Sequence, residues 1–266
     1  MASRAAAATA TAATGRRRIV GLSTKTYFSL ARTNEYTTSL TQRLASASIP
    51  GLDAVDVFLI PDFVSLPSAG RILADAGGRV WLGAQDCHWE DSGAFTGEVS
   101  PAVLAEAGAR IVEVGHAERR RLFGEDDAVT AKKAAAVARN GMVPLVCIGE
   151  KSTGEIAAAV AEVETQVAAV LDAVDPKAPV VLAYEPVWAI GAAQPAGEAH
   201  ILDVVAGIRG LACVKGREGE VRVVYGGSAG PGLFERLAGG LDGLFLGRFG
   251  HDVDQFVRTV GEVASA

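Results

Sequence analysis

The sequence feature that most constrains the fold is an alternation of eight short apolar runs with helical segments, beginning after Arg18. The runs are nearly continuous in β-branched and other apolar residues, which is typical of parallel strands buried on both faces. They predict strands at 19–22, 55–60, 80–85, 111–115, 143–148, 180–184, 221–225 and 243–246. Apolar residues at helical spacing predict helices between them, among them 33–47, 125–139, 154–173 and 197–210.

Strands that alternate with helices form a parallel sheet, and eight such units in about 250 residues fit a closed (β/α)8 barrel. A doubly wound open sheet is the alternative. That fold would place a Gly-x-Gly-x-x-Gly loop after the first strand to bind a dinucleotide, and none is present there. No break in composition marks a second domain, so we predict one α/β barrel domain over residues 18–266.

Composition excludes several classes of protein. The 25 Lys and Arg residues fall short of the 31 Asp and Glu residues, and the formal net charge of −6 gives no general attraction to nucleic acids or anionic membranes. No uncharged apolar run reaches the roughly 18 residues of a membrane helix. The three cysteines, Cys87, Cys147 and Cys213, lack CxxC spacing, which argues against a disulfide framework or a zinc site and favours the cytoplasm. We expect neither a metal nor an organic cofactor.

Residues 1–17 contain Ala, Thr and Arg but no acidic residue and no apolar centre of a secretory signal. We expect a disordered tail, or the product of an upstream start codon. An organelle transit peptide is also acid-poor and contains Arg, so that interpretation stays open.

Polar residues follow several of the predicted strands, and barrel enzymes build their sites at those carboxyl ends. Lys25 follows the first strand, His116 and Glu118 the fourth, and Glu185 the sixth. Each has an ordinary explanation: a surface lysine, a capping or core histidine, a solvated loop acid. Together, a sheltered carboxylate base, a histidine kept neutral at a helix N-terminus and a lysine predict proton abstraction beside a carbonyl. Glycine-containing loops after the last two strands suit a phosphate, so the predicted substrate is a small phosphorylated molecule.

Five motifs resemble those of the triosephosphate isomerase family: AYEPVWAIG (183–191), GAFTGEVSP (93–101), VGHAERRRLFGE (114–125), CIGE (147–150) and YGGS (225–228). They occur in the family's order, and the resemblance extends from Arg18 to the C-terminus. It implies a single TIM barrel, a homodimer and a sugar-phosphate substrate.

The resemblance also implies a role for each matching residue. Glu185 would be the base, His116 would polarise the carbonyl and move protons between oxygens, and Lys25 would supply positive charge. Glu118 would support the site, and residues 186–194 would form a lid that excludes water. The phosphate would accept hydrogen bonds from the backbone N–H groups of Gly191, Ser228 and Gly247, and Thr96 would reach into the partner's site.

The sequence departs from the family at four places near the predicted site. Ser23 replaces the usual Asn after the first strand, and Ala117 replaces the Ser after the histidine. Residues 192–194 read Ala-Ala-Gln instead of Thr-Gly-Lys, and Arg248 replaces a second glycine after the last strand. Ser23, the altered lid and Arg248 also occur in a branch that resembles L-erythrulose-1-phosphate isomerase.

Three functions therefore remain open. The complete catalytic set favours interconversion of dihydroxyacetone phosphate and glyceraldehyde 3-phosphate, as in glycolysis and gluconeogenesis. Isomerisation of L-erythrulose 1-phosphate is the alternative, because Ser23 leaves room for a longer ketose. A non-catalytic sugar-phosphate-binding protein is the third reading. Its mark would be the loss of Glu185, His116 or Lys25, and all three are present.

Overall fold

The computed structural model describes residues 17–266. The predicted N-terminal tail lies outside the described residues apart from Arg17, whose side chain contacts Asp56 at 2.6 Å. The strands are β1 Arg18–Ser23, β2 Val55–Ile60, β3 Val80–Ala84, β4 Ala109–Val114, β5 Val143–Ile148, β6 Val180–Tyr184, β7 Val221–Tyr225 and β8 Gly243–Leu246. Each pairs in parallel with the next, and β8 pairs with β1. The predicted (β/α)8 barrel is confirmed, and the open doubly wound sheet is excluded.

The helices on the outside are α1 Leu30–Ser46, α2 Leu66–Asp75, α3 Pro101–Glu106, α4 Ala117–Phe123, α5 Asp127–Arg139, α6 Ile156–Ala173, α7 Glu198–Gly210, α8 Ala212–Lys215, α9 Phe234–Leu237 and α10 Val253–Ser265. Helix α1 begins three residues before its predicted start because the Ser29 hydroxyl accepts a hydrogen bond from the Arg32 N–H. Helix α5 begins two residues later than predicted because Asp126 is its N-cap. Glu125 lies outside that helix and pairs with the Lys133 ammonium at 2.6 Å.

Three strands differ from the prediction at their ends: β1 is one residue longer at each end, β4 begins two residues early, and β3 and β4 each end one residue early. Strand β3 ends at Ala84, and the Gln85 side chain donates to the Lys25 carbonyl at 2.8 Å. Strand β4 ends at Val114 because Gly115 has φ +71°, a left-handed conformation that takes the chain out of the sheet. That turn carries the chain directly into His116.

The barrel contains two apolar layers. The larger lies between the sheet and the helices, and the smaller fills the barrel itself, where the Phe58 and Phe245 rings are 5.7 Å apart. At the amino-terminal end of the barrel, buried Asp56 pairs with buried Arg222 at 2.6 Å. The interior of the barrel is thus filled at its amino-terminal end, and the site described next lies at the opposite end.

Candidate active site

A cavity of about 310 Å³ opens at the carboxyl ends of the strands. Its walls combine loop backbone with ionisable side chains. The predicted site residues that line it are Ser23, Lys25, His116, Glu118, Glu185, Gly191, Ser228, Gly247 and Arg248. The fold therefore brings together residues separated by more than two hundred positions in the sequence.

Glu185 follows β6 directly and is only 6% exposed. Burial raises the pKa of its carboxyl group to about 7, although Lys25 and Cys147 act in the opposite direction. Within residues 17–266, its Oε2 atom has no hydrogen-bond partner. A buried carboxylate oxygen without a partner is available to a ligand in the cavity.

Gly226, the first residue after β7, leaves the space that the Glu185 side chain occupies. A Cβ atom at Gly226 would lie 2.1 Å from Glu185 Oε1, which is far inside contact distance. This glycine of the YGGS motif therefore sets the position of the carboxylate.

His116 is the N-cap of α4, and its Nδ1 atom accepts a hydrogen bond from the Glu118 N–H at 3.1 Å. That acceptor role leaves the ring proton of a neutral imidazole on Nε2, which lies 3.5 Å from Glu185 Oε2. Burial, together with the charge of Lys25, lowers the pKa of His116 to about 4. The imidazole is thus neutral at pH 7 and presents an N–H donor beside the carboxylate.

Lys25 connects the other groups. Its ammonium lies 2.7 Å from Glu118 Oε1 and 3.4 Å from His116 Nε2. Burial lowers the pKa of Lys25, but the hydrogen bond and charge of Glu118 outweigh burial and leave the pKa raised. The residue has φ 47°, a strained conformation for a non-glycine residue, which is typical of functional positions.

The predicted lid, residues 186–194, contributes Ile190 and Gly191 to the cavity wall and is attached to the barrel by side chains. The Ser228 hydroxyl contacts the carbonyl oxygens of Ala189 at 3.0 Å and Ala192 at 2.9 Å. Arg248 donates from Nη2 to the Gly191 carbonyl at 2.9 Å. Arg248, the residue that departs from the family pattern, therefore contacts the equally altered lid.

Glu150, in the CIGE motif, received no role from the sequence, but it anchors the near end of the lid. Its carboxylate accepts hydrogen bonds from Trp188 Nε1 at 2.9 Å and from the Tyr184 hydroxyl at 3.1 Å. The His200 ring lies 2.9 Å from the same carboxylate. A buried acid at the end of β5 was the available signal.

A second residue missed by sequence reasoning is Glu113, which lines the cavity from inside β4 and is 4% exposed. The search for polar residues at strand ends passed over it because it lies within the strand. A carboxylate in the apolar run IVEVG was the signal.

Two of the singled-out positions lie elsewhere. Thr96 is exposed in the loop between β3 and α3 and does not line the cavity of this subunit. Ala117 is the first residue of α4, directly after the His116 N-cap, and does not line this cavity.

Chemically, the cavity offers a carboxylate whose pKa lies near neutrality, a neutral imidazole donor and a fixed positive charge. Such a set can move a proton between adjacent carbons and stabilise the anion formed on the way. In the described part of the chain, no cluster of three or more His, Cys, Asp or Glu residues could hold a metal ion. Likewise, no helix among residues 17–266 is long and apolar enough to cross a membrane.

Comparison with known proteins agrees with this chemistry. A sequence model of triosephosphate isomerase matches residues 18–263. The chain is 41% identical to L-erythrulose-1-phosphate isomerase of Pectobacterium atrosepticum over 244 residues, 91% of this chain and 93% of that protein. It is also 41% identical to the protein of the same name from Rhizobium etli, covering 91% and 92%. Triosephosphate isomerase of Citrifermentans bemidjiense is 40% identical, covering 82% and 89%.

Proposed function

The chain belongs to the triosephosphate isomerase family and is an isomerase of that type, and we propose that its substrate is L-erythrulose 1-phosphate. Ser23 carries the proposal. Its hydroxyl is directed back to the N–H of Lys25, at 3.4 Å, in its own loop. A short side chain held in this way leaves the cavity open beside the catalytic groups, where a longer amide would project.

L-erythrulose 1-phosphate is dihydroxyacetone phosphate with a hydroxymethyl group on the carbon that loses its proton. Removing that proton from C3 gives an enediolate shared by C2 and C3. Returning a proton to C2, and moving the hydroxyl proton from the C3 oxygen to the C2 oxygen, gives the isomeric ketose, erythrulose 4-phosphate. Atoms and charge balance without an oxidant or reductant.

The proposed roles follow from the geometry. Glu185 removes and returns the carbon proton through Oε2, and His116 donates from Nε2 to the substrate carbonyl. Lys25 stabilises the negative charge of the enediolate, and Glu118 holds the ammonium in place. The phosphate binds under the lid, to backbone N–H groups of Gly191, Ser228 and Gly247 and beside Arg248. These steps use protein groups alone, so we expect dialysis against a chelator to leave activity unchanged.

Triose phosphate is the second candidate, supported by the complete set of Glu185, His116 and Lys25 and by the similarity to the Citrifermentans enzyme. The smaller ketose would occupy the same phosphate site and present the same reacting carbons. The two candidates therefore differ only in what the cavity provides beyond the reacting carbon.

A side-by-side assay of kcat/KM with L-erythrulose 1-phosphate and dihydroxyacetone phosphate tests the proposal. We expect a preference of at least about tenfold for the four-carbon ketose, a difference that a small change in pocket size can supply. Ser23→Asn should narrow this preference in kcat/KM, and Glu185→Gln is the control for contaminating isomerases. A preference for the triose would contradict the proposal, and equally poor rates with both would exclude both candidates.

We also propose a homodimer. Apolar side chains are exposed on the rim after consecutive strands: Tyr27 after β1, Val64 after β2, Phe95 after β3 and Phe123 after β4, with exposures from 41% to 79%. Exposed Thr96 lies beside Phe95. Exposed apolar side chains on one rim are typical of an interface, which would carry Thr96 to the partner's site. Light scattering should give a dimer, and a fully active 27.4 kDa monomer would contradict this.

The cytoplasm is the proposed location. Cys87 and Cys147 are free and buried in the described structure, as is common in reducing compartments. Fractionation of the native cell would test this directly.

A further inference from the structure

Glu113 is a buried carboxyl group that the proposed mechanism does not use. It lies two residues after Ile111, which belongs to the apolar filling of the barrel, so both side chains point inward. Glu113 is 4% exposed and forms part of the cavity floor. An apolar residue would be the stable choice at such a position, because burying a polar group away from water is costly unless it is hydrogen-bonded.

Groups from four strands or the loops that follow them face this carboxyl. Ser23 and Lys25 favour its charged form, Cys147 Sγ lies 3.9 Å from Oε1, and the charges of Glu185 and Glu118 oppose its ionisation. Burial, together with the charge of Glu185, raises the pKa of Glu113 to about 8. At neutral pH the group is therefore mainly a neutral carboxylic acid, which can both donate and accept a hydrogen bond.

The position of Glu113 matches the extra group of a four-carbon substrate. Strand β4 lies across the closed barrel from β8, and the loops after β7 and β8 form the phosphate end of the cavity. A ketose phosphate bound there places its reacting carbons at Glu185 and His116. Any extension of the substrate beyond those carbons points away from the phosphate, toward the side of the cavity that Glu113 and Ser23 line.

We propose that Glu113 determines substrate class by hydrogen-bonding the terminal hydroxymethyl group of a tetrulose phosphate, in the space that Ser23 leaves open. The inference rests on the proposed function and identifies Glu113 as the residue responsible for the preference for the longer ketose. Dihydroxyacetone phosphate lacks this hydroxyl, so it leaves the Glu113 carboxyl without a ligand partner. The longer substrate thus gives the buried carboxyl a hydrogen-bond partner that the triose cannot supply.

The test removes the hydroxyl from the substrate and the carboxyl from the protein, separately and together. The substrates are L-erythrulose 1-phosphate and its 4-deoxy analogue, which keeps the reacting carbons and the phosphate. With the wild-type enzyme, we expect the deoxy analogue to lose about 10- to 100-fold in kcat/KM. With Glu113→Val, the two substrates should differ by less than about threefold, because the partner of the hydroxyl is gone.

Glu113→Gln is the matched control, because an amide keeps the shape and both hydrogen-bonding functions. It should preserve most of the discrimination between the two substrates. The wild-type comparison needs no variant at all, so a failure of Glu113→Val to fold does not prevent the test. Thermal unfolding checks that both variants are intact.

The outcomes separate this inference from the proposed function. A wild-type enzyme that prefers dihydroxyacetone phosphate overturns the function, and the Glu113 inference with it. A wild-type enzyme that prefers L-erythrulose 1-phosphate but turns over the deoxy analogue equally well overturns only the role of Glu113. So does a Glu113→Val variant that still discriminates between the two substrates as the wild type does.

Discussion

The two ends of the active-site cavity are built from different chemical groups. The proposed phosphate end, after β7 and β8, consists largely of glycine-containing loops and the predicted lid. The reaction end, formed by β1, β4 and β6, consists of ionisable side chains, among them Lys25, Glu113, His116 and Glu185. Backbone N–H groups are present whatever the side chain, so binding at the first end depends on loop conformation. At the second end, both rate and selectivity depend on the identity of individual residues.

The largest effect is expected at the reaction end. Glu185→Asp withdraws the carboxylate by about 1 Å, and such a loss of alignment should lower kcat about 10²- to 10³-fold. Both ketose phosphates should be affected equally, because the base acts on the carbon that they share. Steady-state kinetics would measure this, and a kcat within about threefold of wild type would remove Glu185 from the role of base.

Gly226→Ala tests whether the absence of a side chain at Gly226 holds the Glu185 carboxylate in position. The added Cβ would meet Glu185 Oε1 at 2.1 Å, so the carboxylate must move. We expect a loss of about 10- to 100-fold in kcat with a smaller change in KM. Gly210→Ala in α7 is the control, because a Cβ there meets no atom within 4 Å. Equal activity of the two variants would show that the carboxylate tolerates displacement.

Arg248 is a charged side chain at an end of the cavity that consists mostly of loop backbone. Arg248→Gly tests what this side chain contributes to binding. Losing its hydrogen bond to the Gly191 carbonyl should raise KM about three- to tenfold for both ketose phosphates. The ratio of their kcat/KM values should stay the same, in contrast to Ser23→Asn at the other end. A changed ratio would mean that Arg248 also contributes to selectivity and that the two ends are not separate.

The smallest effect concerns stability. The folded protein keeps a proton on Glu113 up to pH about 8, whereas the unfolded chain loses it near pH 4.5. The folded state binds more protons in this window, so the contribution of Glu113 to the free energy of unfolding falls as pH rises. Gln cannot ionise, so Glu113→Gln should gain in melting temperature relative to wild type between about pH 5 and pH 9. A constant difference would mean that Glu113 titrates normally.

How far the sequence predicts the fold depends on how local the determining signal is. The strands at 55–60, 143–148, 180–184, 221–225 and 243–246 have the predicted bounds, because each mostly apolar run is followed by a proline, a glycine or an acidic residue. The start of α1 was missed because Ser29 is followed by Leu30 and Ala31, and its capping hydrogen bond is not visible as a periodic pattern. Gly115 reads as a strand residue until its positive φ is known.

The residues of the active site also differ in how local their sequence signal is. Residues at strand ends, such as Lys25, His116 and Glu185, can be located from the sequence because every strand of a parallel barrel ends at the same rim. Glu113 shows in the sequence only as a carboxylate in an apolar run, since its role depends on the inward direction of one side chain within β4 and on the neighbouring Ser23 and Cys147. Such contacts across the barrel leave no local pattern.

The hydrogen bond from Trp188 to Glu150 gives the chain a built-in optical reporter. The indole belongs to the predicted lid and the carboxylate to the barrel, so an opening that carries Trp188 outward would replace this bond with water. Tryptophan emission depends on the polarity around the ring, and lid motions commonly take microseconds to milliseconds. In a variant whose other two tryptophans, Trp81 and Trp89, are replaced by Phe, rapid-mixing fluorescence would follow lid movement in solution without any attached dye.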